Sequence, residues 1–562
     1  MPPGCHDRAA DPLALPGLSP LELHARTSRS DGLELLPAVE TDARVAEFRP
    51  DERTLPRFFI WTLGCQMNRS DSEEMAGRLL AAGCAMAPSI EGADLVVINT
   101  CAVREAAEAK VIGRQGALAR LKAARPGMRV VLAGCAVRER ERPGLRRRFP
   151  AVDLFLRPDE EPELVAWLGL ASAQATVGLA PRTAATTTVN RVEVSAADHL
   201  AAARAMAVAG GTVARASAIS AWLPIVYGCD KACTYCIVPL SRGPERSRPF
   251  DDVLAEARSL AAAGYRELTL LGQNVNSYGH DLPAEGRFAH VAEGRTVGRR
   301  IERAGRPDLA ELIRAIDAIR DPAGAPAIPR LRFVTSHPWD LSDRLIAAMA
   351  DCDSVCEALH LPVQSGDDEV LRRMGRQHTV GHYLERLERI RAALPGIAVS
   401  TDVIVGFCGE TEAQYEATLR LLTTVGFEQV FAAAYSPRPG TPAARLADDV
   451  PPAVKRDRLN RLLGLQERIG HDRNRAWLGR SVEVLVDEAT PGAAPGREAG
   501  SAAGTGPRPP WRDPLRPGLA RLGGRTRENK LVHLVGPPEL VGRLVDVRIE
   551  HAGPYSLRGS IA

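Results

Sequence analysis

The sequence predicts an α/β protein in three parts: an N-terminal parallel α/β domain, a central partial α/β barrel and a C-terminal small β-barrel. Three observations predict it. Apolar, β-branched runs alternate with helical stretches in two long regions, the pattern of parallel sheets. Three successive N-terminal runs each end at a cysteine, namely Cys65, Cys101 and Cys135. Near residue 474 the pattern changes to strands of period two, with Pro/Gly-rich breaks between them.

Taken in order, residues 1–56 carry no sustained periodicity and are expected to be a disordered extension. A first domain is expected over 57–172. Its strands are the aromatic and β-branched run 58–63, the run 94–101 and the run 129–135, with helices over 70–82 and through the Ala/Arg-rich stretch between the last two strands. A cysteine just past each strand lies where the loops of a parallel sheet converge and ligands bind. Residues 173–214 read as a linker. A second α/β region over 215–473 has strands at 267–272, 330–334, 358–361 and 398–405, with helices at 251–263, 383–394 and 411–425. The charged, Gly-rich stretch 282–305 reads as an inserted loop. In the tail, 474–562, residues 481–486 and 544–549 alternate as half-buried strands, and 491–520 is expected to be structureless.

Hydrophobic residues are 45% and charged residues 25%, which suits a globular chain. No run of about 18 uncharged apolar residues occurs, so no membrane-spanning helix is expected. The N-terminus lacks a basic start followed by an apolar core, so no secretory signal is expected and the chain is read as cytoplasmic. Formal charge is 72 − 69 = +3, too balanced to demand a nucleic-acid partner by itself. Eleven cysteines are too few for a disulfide scaffold, and their clustering points to metal or redox chemistry.

The strongest motif is Cys229-Asp230-Lys231-Ala232-Cys233-Thr234-Tyr235-Cys236. Three thiolates in one CxxxCxxC loop can hold three irons of a four-iron cluster and leave the fourth open. The competing zinc knuckle needs a fourth ligand, and no further Cys or His stands nearby in sequence. Cys65, Cys101 and Cys135 are separated by 35 and 33 residues, so spacing alone leaves a second cluster and buried structural cysteine both open.

Cys229, Cys233 and Cys236 resemble the radical S-adenosylmethionine superfamily. Residues 62–68 (Thr-Leu-Gly-Cys-Gln-Met-Asn), 71–73 (Asp-Ser-Glu), 99–104 (Asn-Thr-Cys-Ala-Val-Arg) and 134–136 (Gly-Cys-Ala) resemble the N-terminal domain of the methylthiotransferases. The likeness continues through 227–229, 237–239, 242–248, 270–279, 360–366 and 435–442, so it covers nearly all of 57–562. Residues 524–530 (Gly-Arg-Thr-Arg-Glu-Asn-Lys) resemble a TRAM domain, an RNA-binding barrel. Gly-Cys-Gln-Met-Asn and Gly-Gln-Asn-Val-Asn are the wording of the MiaB branch of that family.

The resemblance implies two [4Fe-4S] clusters, one on Cys229, Cys233 and Cys236 and one on Cys65, Cys101 and Cys135. It implies two S-adenosylmethionine molecules per turnover. One is cleaved at the first cluster to a 5′-deoxyadenosyl radical that takes the C2 hydrogen of N6-isopentenyladenosine at position 37 of tRNAs reading codons that begin with U. The other methylates sulfur delivered by the second cluster. The target base must leave the anticodon stack, at a cost of a few kcal/mol. Implied partners are the tRNA anticodon stem-loop, an electron donor such as flavodoxin or ferredoxin, and a sulfur source, for a monomer with no membrane contact. Rivals in the same chemistry act on threonylcarbamoyl-adenosine of tRNA or on a ribosomal-protein aspartate. A rival of another class is a non-catalytic iron–sulfur RNA-binding protein.

Family logic places cofactor contacts at Gly272 and Gln273 and at Gly406 and Glu410. Arg525, Arg527 and Lys530 form a basic cluster suited to RNA phosphates, with a solvated charged turn as the alternative. Cys408 stands where relatives are expected to carry Pro and reads as a small semi-buried thiol. Cys5, Cys84, Cys352 and Cys356 match no family ligand, and His360 reads as a core or pocket residue. Arg242, Arg246 and Arg248 beside the cysteine loop fit RNA or cofactor equally. Arg146, Arg147 and Arg148 read as a solvated helix end.

Overall fold

The computed structural model describes residues 55–102, 105–138, 141–170, 213–291, 296–297, 300–301, 305–491 and 515–562. The expected N-terminal extension to residue 54, the linker residues 171–212, and 492–514 of the expected insertion lie outside the described residues.

The N-terminal sheet contains β1 (Arg57–Leu63), β2 (Ala85–Met86), β3 (Leu95–Thr100), β4 (Arg129–Ala133) and β5 (Leu154–Leu156) in the order β2-β1-β3-β4-β5, every pair parallel. Helix α1 (Gln66–Ala81) follows β1, and α2 (Glu105–Ala124) follows β3. All six residues of β3 are buried, because helices cover both faces of the sheet; that is why its sequence is an unbroken apolar run rather than an alternating one. Phe58, Leu79, Leu95 and Val131 pack on one face, and Val96, Ile98, Val111 and Leu132 on the other. The strand order reverses between β1 and β3, which opens a crevice at their C-terminal ends. The helix expected over 70–82 starts at Gln66, directly beneath Cys65.

The central region folds as two three-stranded parallel sheets. One contains β6 (Ser220–Pro224), β7 (Glu267–Leu271) and β8 (Arg330–Phe333) in the order β8-β7-β6; the other contains β9 (Ala358–His360), β10 (Ala398–Val405) and β11 (Gln429–Ala434) in sequence order. A parallel bridge between Leu331 and Val355 joins them into an open barrel. Alternate residues such as Leu268, Leu270, Leu331, Val399, Val403 and Val405 point outward into a core shared with α3 (Phe250–Ala262), α4 (Leu309–Asp317), α5 (Asp343–Asp351), α6 (Val380–Ala393), α7 (Glu412–Val425) and α8 (Pro452–Arg475). Helix α7 shows how locally this is encoded. Thr411 accepts the Gln414 N–H at 3.3 Å while Gln414 Oε1 accepts the Thr411 N–H at 3.0 Å, a closed capping box. Tyr415, Thr418, Leu421, Leu422 and Val425 then recur at helical spacing as its buried face, and Gly426, at φ 62°, ends it.

The stretch 282–305 is more than an inserted loop. Phe288 and Val291 are buried, Phe288 meets Phe250 edge-on at 5.1 Å, and Arg287 grips Asp251 through two bonds of 2.9 and 2.8 Å. Thr296–Val297 and Arg300–Ile301 pair as a short antiparallel ladder.

The tail is a closed barrel of β12 (Ser481–Pro491), β13 (Ala520–Arg525), β14 (Leu531–Gly536), β15 (Leu544–Ala552) and β16 (Leu557–Ile561) in the order β12-β13-β14-β16-β15. Its core is Val484, Val486, Leu522, Val532, Leu534, Val547, Ile549 and Leu557. The two ends of the segment expected to be structureless are ordered, since Pro491 pairs with Ala520. Among the described residues, no helix is long and apolar enough to cross a membrane.

The turn between β13 and β14 seals the N-terminal end of the central barrel. Arg330, with no exposed surface, donates to Arg525 O at 2.5 Å and to Glu483 Oε1 at 3.0 Å. Arg332 donates to Thr526 O at 2.8 Å, Arg527 O at 2.9 Å and Glu267 Oε2 at 2.7 Å. Arg527 donates to Glu357 at 2.7 and 3.0 Å and to Val355 O at 2.6 Å. Lys530 is buried against Glu428 and donates to Asn474 Oδ1 at 2.6 Å. This corrects the reading of the basic cluster: Arg527 and Lys530 are engaged by carboxylates and carbonyls inside the chain, and Arg525, half-exposed, donates to Asn529 O at 3.4 Å.

Two outcomes follow from this seam. Arg527→Ala removes several charge-assisted bonds and should destabilise the docking of the C-terminal barrel by roughly 1–3 kcal/mol, read as faster hydrogen exchange in residues 515–562 and at Glu357. Burial alone raises the Glu428 carboxyl, but Arg473 and Lys530 more than offset it and hold it below the usual range. Stability from this lowered group is present above the ordinary glutamate value and lost as pH falls through the lowered one. Glu428→Gln should therefore flatten the decline of melting temperature between about pH 5 and 3; an unchanged slope would refute the assignment.

Candidate functional site

The three N-terminal thiols meet at the sheet crevice. Cys65 caps α1 just after β1, Cys101 follows β3, and Cys135 follows β4, so Cys65 and Cys101 flank the point where strand order reverses. A buried amide network holds these loops in register. Asn68 Nδ2 donates to Asn99 Oδ1 at 2.9 Å, Asn99 Nδ2 donates to Asn68 O at 2.8 Å and Ser72 Oγ at 3.0 Å, and Asn68 Oδ1 accepts the Cys65 N–H at 3.4 Å. Gly134 must be glycine here: at φ 95° a Cβ would sit 2.3 Å from Asn99 Oδ1 and 2.6 Å from Thr100 O. Hydrogen bonding from Cys101, followed by the Arg242 charge and against the effect of burial, holds the Cys65 thiol down at about 6. Burial pushes Cys135 up to about 11 despite Arg242.

The second triad sits on the loop after the Val226–Tyr227 ladder, at the C-terminal end of the central barrel. Gly228 must be glycine, since at φ 73° a Cβ would sit 2.1 Å from Pro244 O and 2.6 Å from Gly243 O, and its N–H donates to Gln273 Oε1 at 2.6 Å. Lys231 forms a buried ion pair with Asp340 at 2.7 Å, and Asn274 Nδ2 donates to the same carboxylate at 2.7 Å. Arg376 donates to Pro362 O at 2.7 Å and approaches Cys233 Sγ at 3.5 Å. Burial raises Cys229, with Cys236 and Cys233 adding to the effect, and pushes Cys236 up to about 12.

The donor sets suit iron–sulfur clusters. Each site offers three sulfur donors within electrostatic reach of one another, and none of the described cysteines is in a disulfide. Among the described residues, no three Cys, His, Asp or Glu side chains are grouped to hold a single ion. A four-iron cube carries its thiolates on separate corners and needs a wider grouping than one ion. A guanidinium beside each triad, Arg242 at one and Arg376 at the other, offsets the negative charge such a cluster brings into a buried place.

The other expected site residues are distributed as follows. Gly272 ends β7 where a Cβ would lie 2.2 Å from Val226 Cγ1, and Gln273 spends its carbonyl oxygen on the cysteine loop. Gly406 donates its N–H to Glu410 Oε2 at 2.6 Å, and Arg458 donates to that oxygen at 3.0 Å, so Glu410 braces its own turn at the end of β10. Cys408 is buried, and Cys84, Cys352 and Cys356 are likewise buried away from both triads. His360 Nδ1 lies 3.0 Å from Ser400 Oγ and Nε2 lies 3.4 Å from Asp402 Oδ2, with Phe431 edge-on at 5.6 Å. Arg248 serves the fold, donating to Pro224 O at 2.9 Å and pairing with Glu256; Arg246 is exposed, as are Arg146, Arg147 and Arg148. Sequence reasoning gave no role to Arg376, Asp340, Lys231 or the Asn68–Asn99 pair. The two asparagines carried a signal, since both stand inside the cysteine words.

Two family models match: one described as the Radical SAM superfamily over residues 223–422, and one described as the Uncharacterized protein family UPF0004 over residues 57–157. A tRNA-2-methylthio-N(6)-dimethylallyladenosine synthase of Chloroflexus aurantiacus is 38% identical over 518 residues, 91% of this chain and 93% of the relative. A protein of the same name from Acetivibrio thermocellus is 39% identical over 509 residues, 89% of this chain and 90% of the relative. Among solved structures, the radical S-adenosylmethionine methyltransferase TsrM of Kitasatospora setae shares 15% identity at a TM-score of 0.43, covering 67% of this chain and 73% of that one, a likeness too loose to carry an argument. With two thiol triads in place and relatives of this identity matched along nearly their whole length, the chain belongs to the tRNA-2-methylthio-N(6)-dimethylallyladenosine synthase family of radical S-adenosylmethionine enzymes.

Proposed function

We propose that this enzyme methylthiolates C2 of N6-isopentenyladenosine at position 37 of tRNAs reading codons that begin with U. The observation that carries the reading is a thiol triad at the C-terminal end of each of two parallel sheets, with Arg242 from the segment after one triad donating to Cys135 of the other. The relatives' names favour this substrate over threonylcarbamoyl-adenosine or a protein aspartate, and membership of a radical enzyme family disfavours a non-catalytic RNA-binding role.

Cys229, Cys233 and Cys236 hold one [4Fe-4S] cluster and Cys65, Cys101 and Cys135 the other. When bound, these clusters and S-adenosylmethionine supply the one-electron chemistry at C2 and the sulfur and methyl groups. The chain's own residues do the positioning. Asn68 and Asn99 lock the strand-end loops that carry Cys65 and Cys101. The Lys231–Asp340–Asn274 linkage and Gln273 lock the CxxxCxxC loop onto the end of β7. Asn68, Asn99, Lys231, Asn274 and Asp340 are themselves buried, so these braces are held out of water. Backbone at Gly272 and Gly406 approaches S-adenosylmethionine, with Gln273 and Glu410 bracing those two turns. The domain boundaries follow the parts: 57–172 for one cluster, 215–473 for the other, and 474–562 as a TRAM-type barrel, supported by its closure and its Gly-Arg-Thr-Arg-Glu-Asn-Lys turn. Arg525 on that barrel contacts RNA phosphate. The tRNA enters by its anticodon stem-loop, and a flavodoxin or ferredoxin and a separate sulfur source complete the reaction in the cytoplasm, with the enzyme acting as a monomer.

Anaerobic reconstitution of the full chain should give about eight irons per chain, falling to about four in either Cys65→Ala or Cys229→Ala. Cys229→Ala should stop 5′-deoxyadenosine release, whereas Cys65→Ala should keep it but yield no methylthio product. Cys352→Ala should match the parent in both respects. In a deletion strain, mass spectrometry of tRNA nucleosides should show N6-isopentenyladenosine accumulating without its 2-methylthio derivative. Persistence of that derivative would refute the substrate.

A further inference from the structure

Arg242 stands six positions beyond Cys236, on the chain segment that leaves the CxxxCxxC loop. Its side chain does not stay in the central barrel. Nε donates to Cys135 Sγ at 2.9 Å, across 107 residues of sequence, and a terminal nitrogen donates to Asp71 Oδ2 at 2.5 Å. The guanidinium and the carboxylate are both almost fully buried, at 4% and 6% side-chain exposure. Asp71 lies on α1, one turn beyond the Asn68 that braces Cys65. A planar guanidinium held by a carboxylate at one edge has its remaining N–H directions fixed, so Asp71 aims Arg242 Nε at the sulfur. Arg376 at the other triad makes a longer approach, 3.5 Å, and comes from the same domain as its cysteine.

We infer that Arg242 is a positioning residue that tunes the cluster on Cys65, Cys101 and Cys135 and ties that cluster to the loop of the other one. The physical reason is charge. A four-iron cluster on three thiolates carries net negative charge and gains more on reduction, and the net charge and hydrogen bonds to sulfur set its potential. A buried cation donating to one ligand sulfur favours the reduced state, and a buried carboxylate behind it opposes that effect. Because Arg242 shares a short segment with Cys236, a shift of the radical-site loop alters the N–H···S contact at the other cluster. This rests on the ligand assignment under Proposed function.

The test is a dithionite titration followed by electron paramagnetic resonance, on full chain reconstituted anaerobically in a Cys229→Ala background, where iron is confined to the N-terminal triad. Arg242→Gln should lower the midpoint potential, making reduction at least tenfold less favourable, about 59 mV for a one-electron couple. Asp71→Asn should move it the opposite way, and Arg242→Lys should fall between the parent and Arg242→Gln. With Cys229 restored, Arg242→Gln should release 5′-deoxyadenosine while its yield of methylthio product per 5′-deoxyadenosine falls at least tenfold. Potentials that stay put, or that shift in the same direction in Arg242→Gln and Asp71→Asn, would overturn the inference, since loosened packing does not produce opposite signs. Should Arg242→Gln fail to fold, Asp71→Asn alone decides by the sign of its shift. Absence of iron from the N-terminal triad in the Cys229→Ala parent would overturn the ligand assignment, and this inference with it.

Discussion

Sulfur kept out of water is the condition on which this architecture depends. A thiolate in an apolar interior is costly unless a positive charge or a ring of hydrogen-bond donors accompanies it. Both triads meet that condition in the same way. The cysteines sit at the C-terminal ends of parallel strands, a place that parallel sheets leave open as a crevice. Short polar braces fix the loops, and one guanidinium reaches each site. Lys231 beside Cys229, far from being a surface cation, is consumed by Asp340, so the loop is fastened without adding net charge to the cavity.

The legible part of this arrangement was local. Strand ends are marked by apolar runs that stop at Gly-Cys or Thr-Cys, so the three N-terminal cysteines could be put at one sheet edge, and the CxxxCxxC spacing is self-contained. Helix α7 announced itself through Thr411, Gln414 and the spacing of its apolar residues. What sequence could not give was long-range pairing. Arg242 reaches Cys135 across 107 residues, Arg376 reaches Cys233 across 143, and Arg332 reaches Arg527 across 195, and nothing in the local sequence of any of them names its partner.

The same blindness explains the errors. Arg527 and Lys530 look like phosphate ligands because a turn with three basic residues ordinarily faces solvent; here the acceptors that neutralise them, Glu357 and Glu428, lie in another domain. Strand β13 reads Ala-Arg-Leu-Gly-Gly-Arg, and its glycines hide the period-two pattern. Strand β11, Gln-Val-Phe-Ala-Ala-Ala, is half alanine, a weak strand former placed by its parallel register with β10. The segment 282–305 was obscured in another way: its charged composition conceals Phe288 and Val291, which carry its packing.

The turn that stoppers the base of the central barrel has a consequence for traffic. Strands β8, β9 and β11 begin against Arg525, Arg527 and Lys530, which leaves the barrel a blind alley with its mouth on the cysteine side. With that end plugged, nothing threads the barrel from base to mouth, and the cysteine loops are reached from the opposite side.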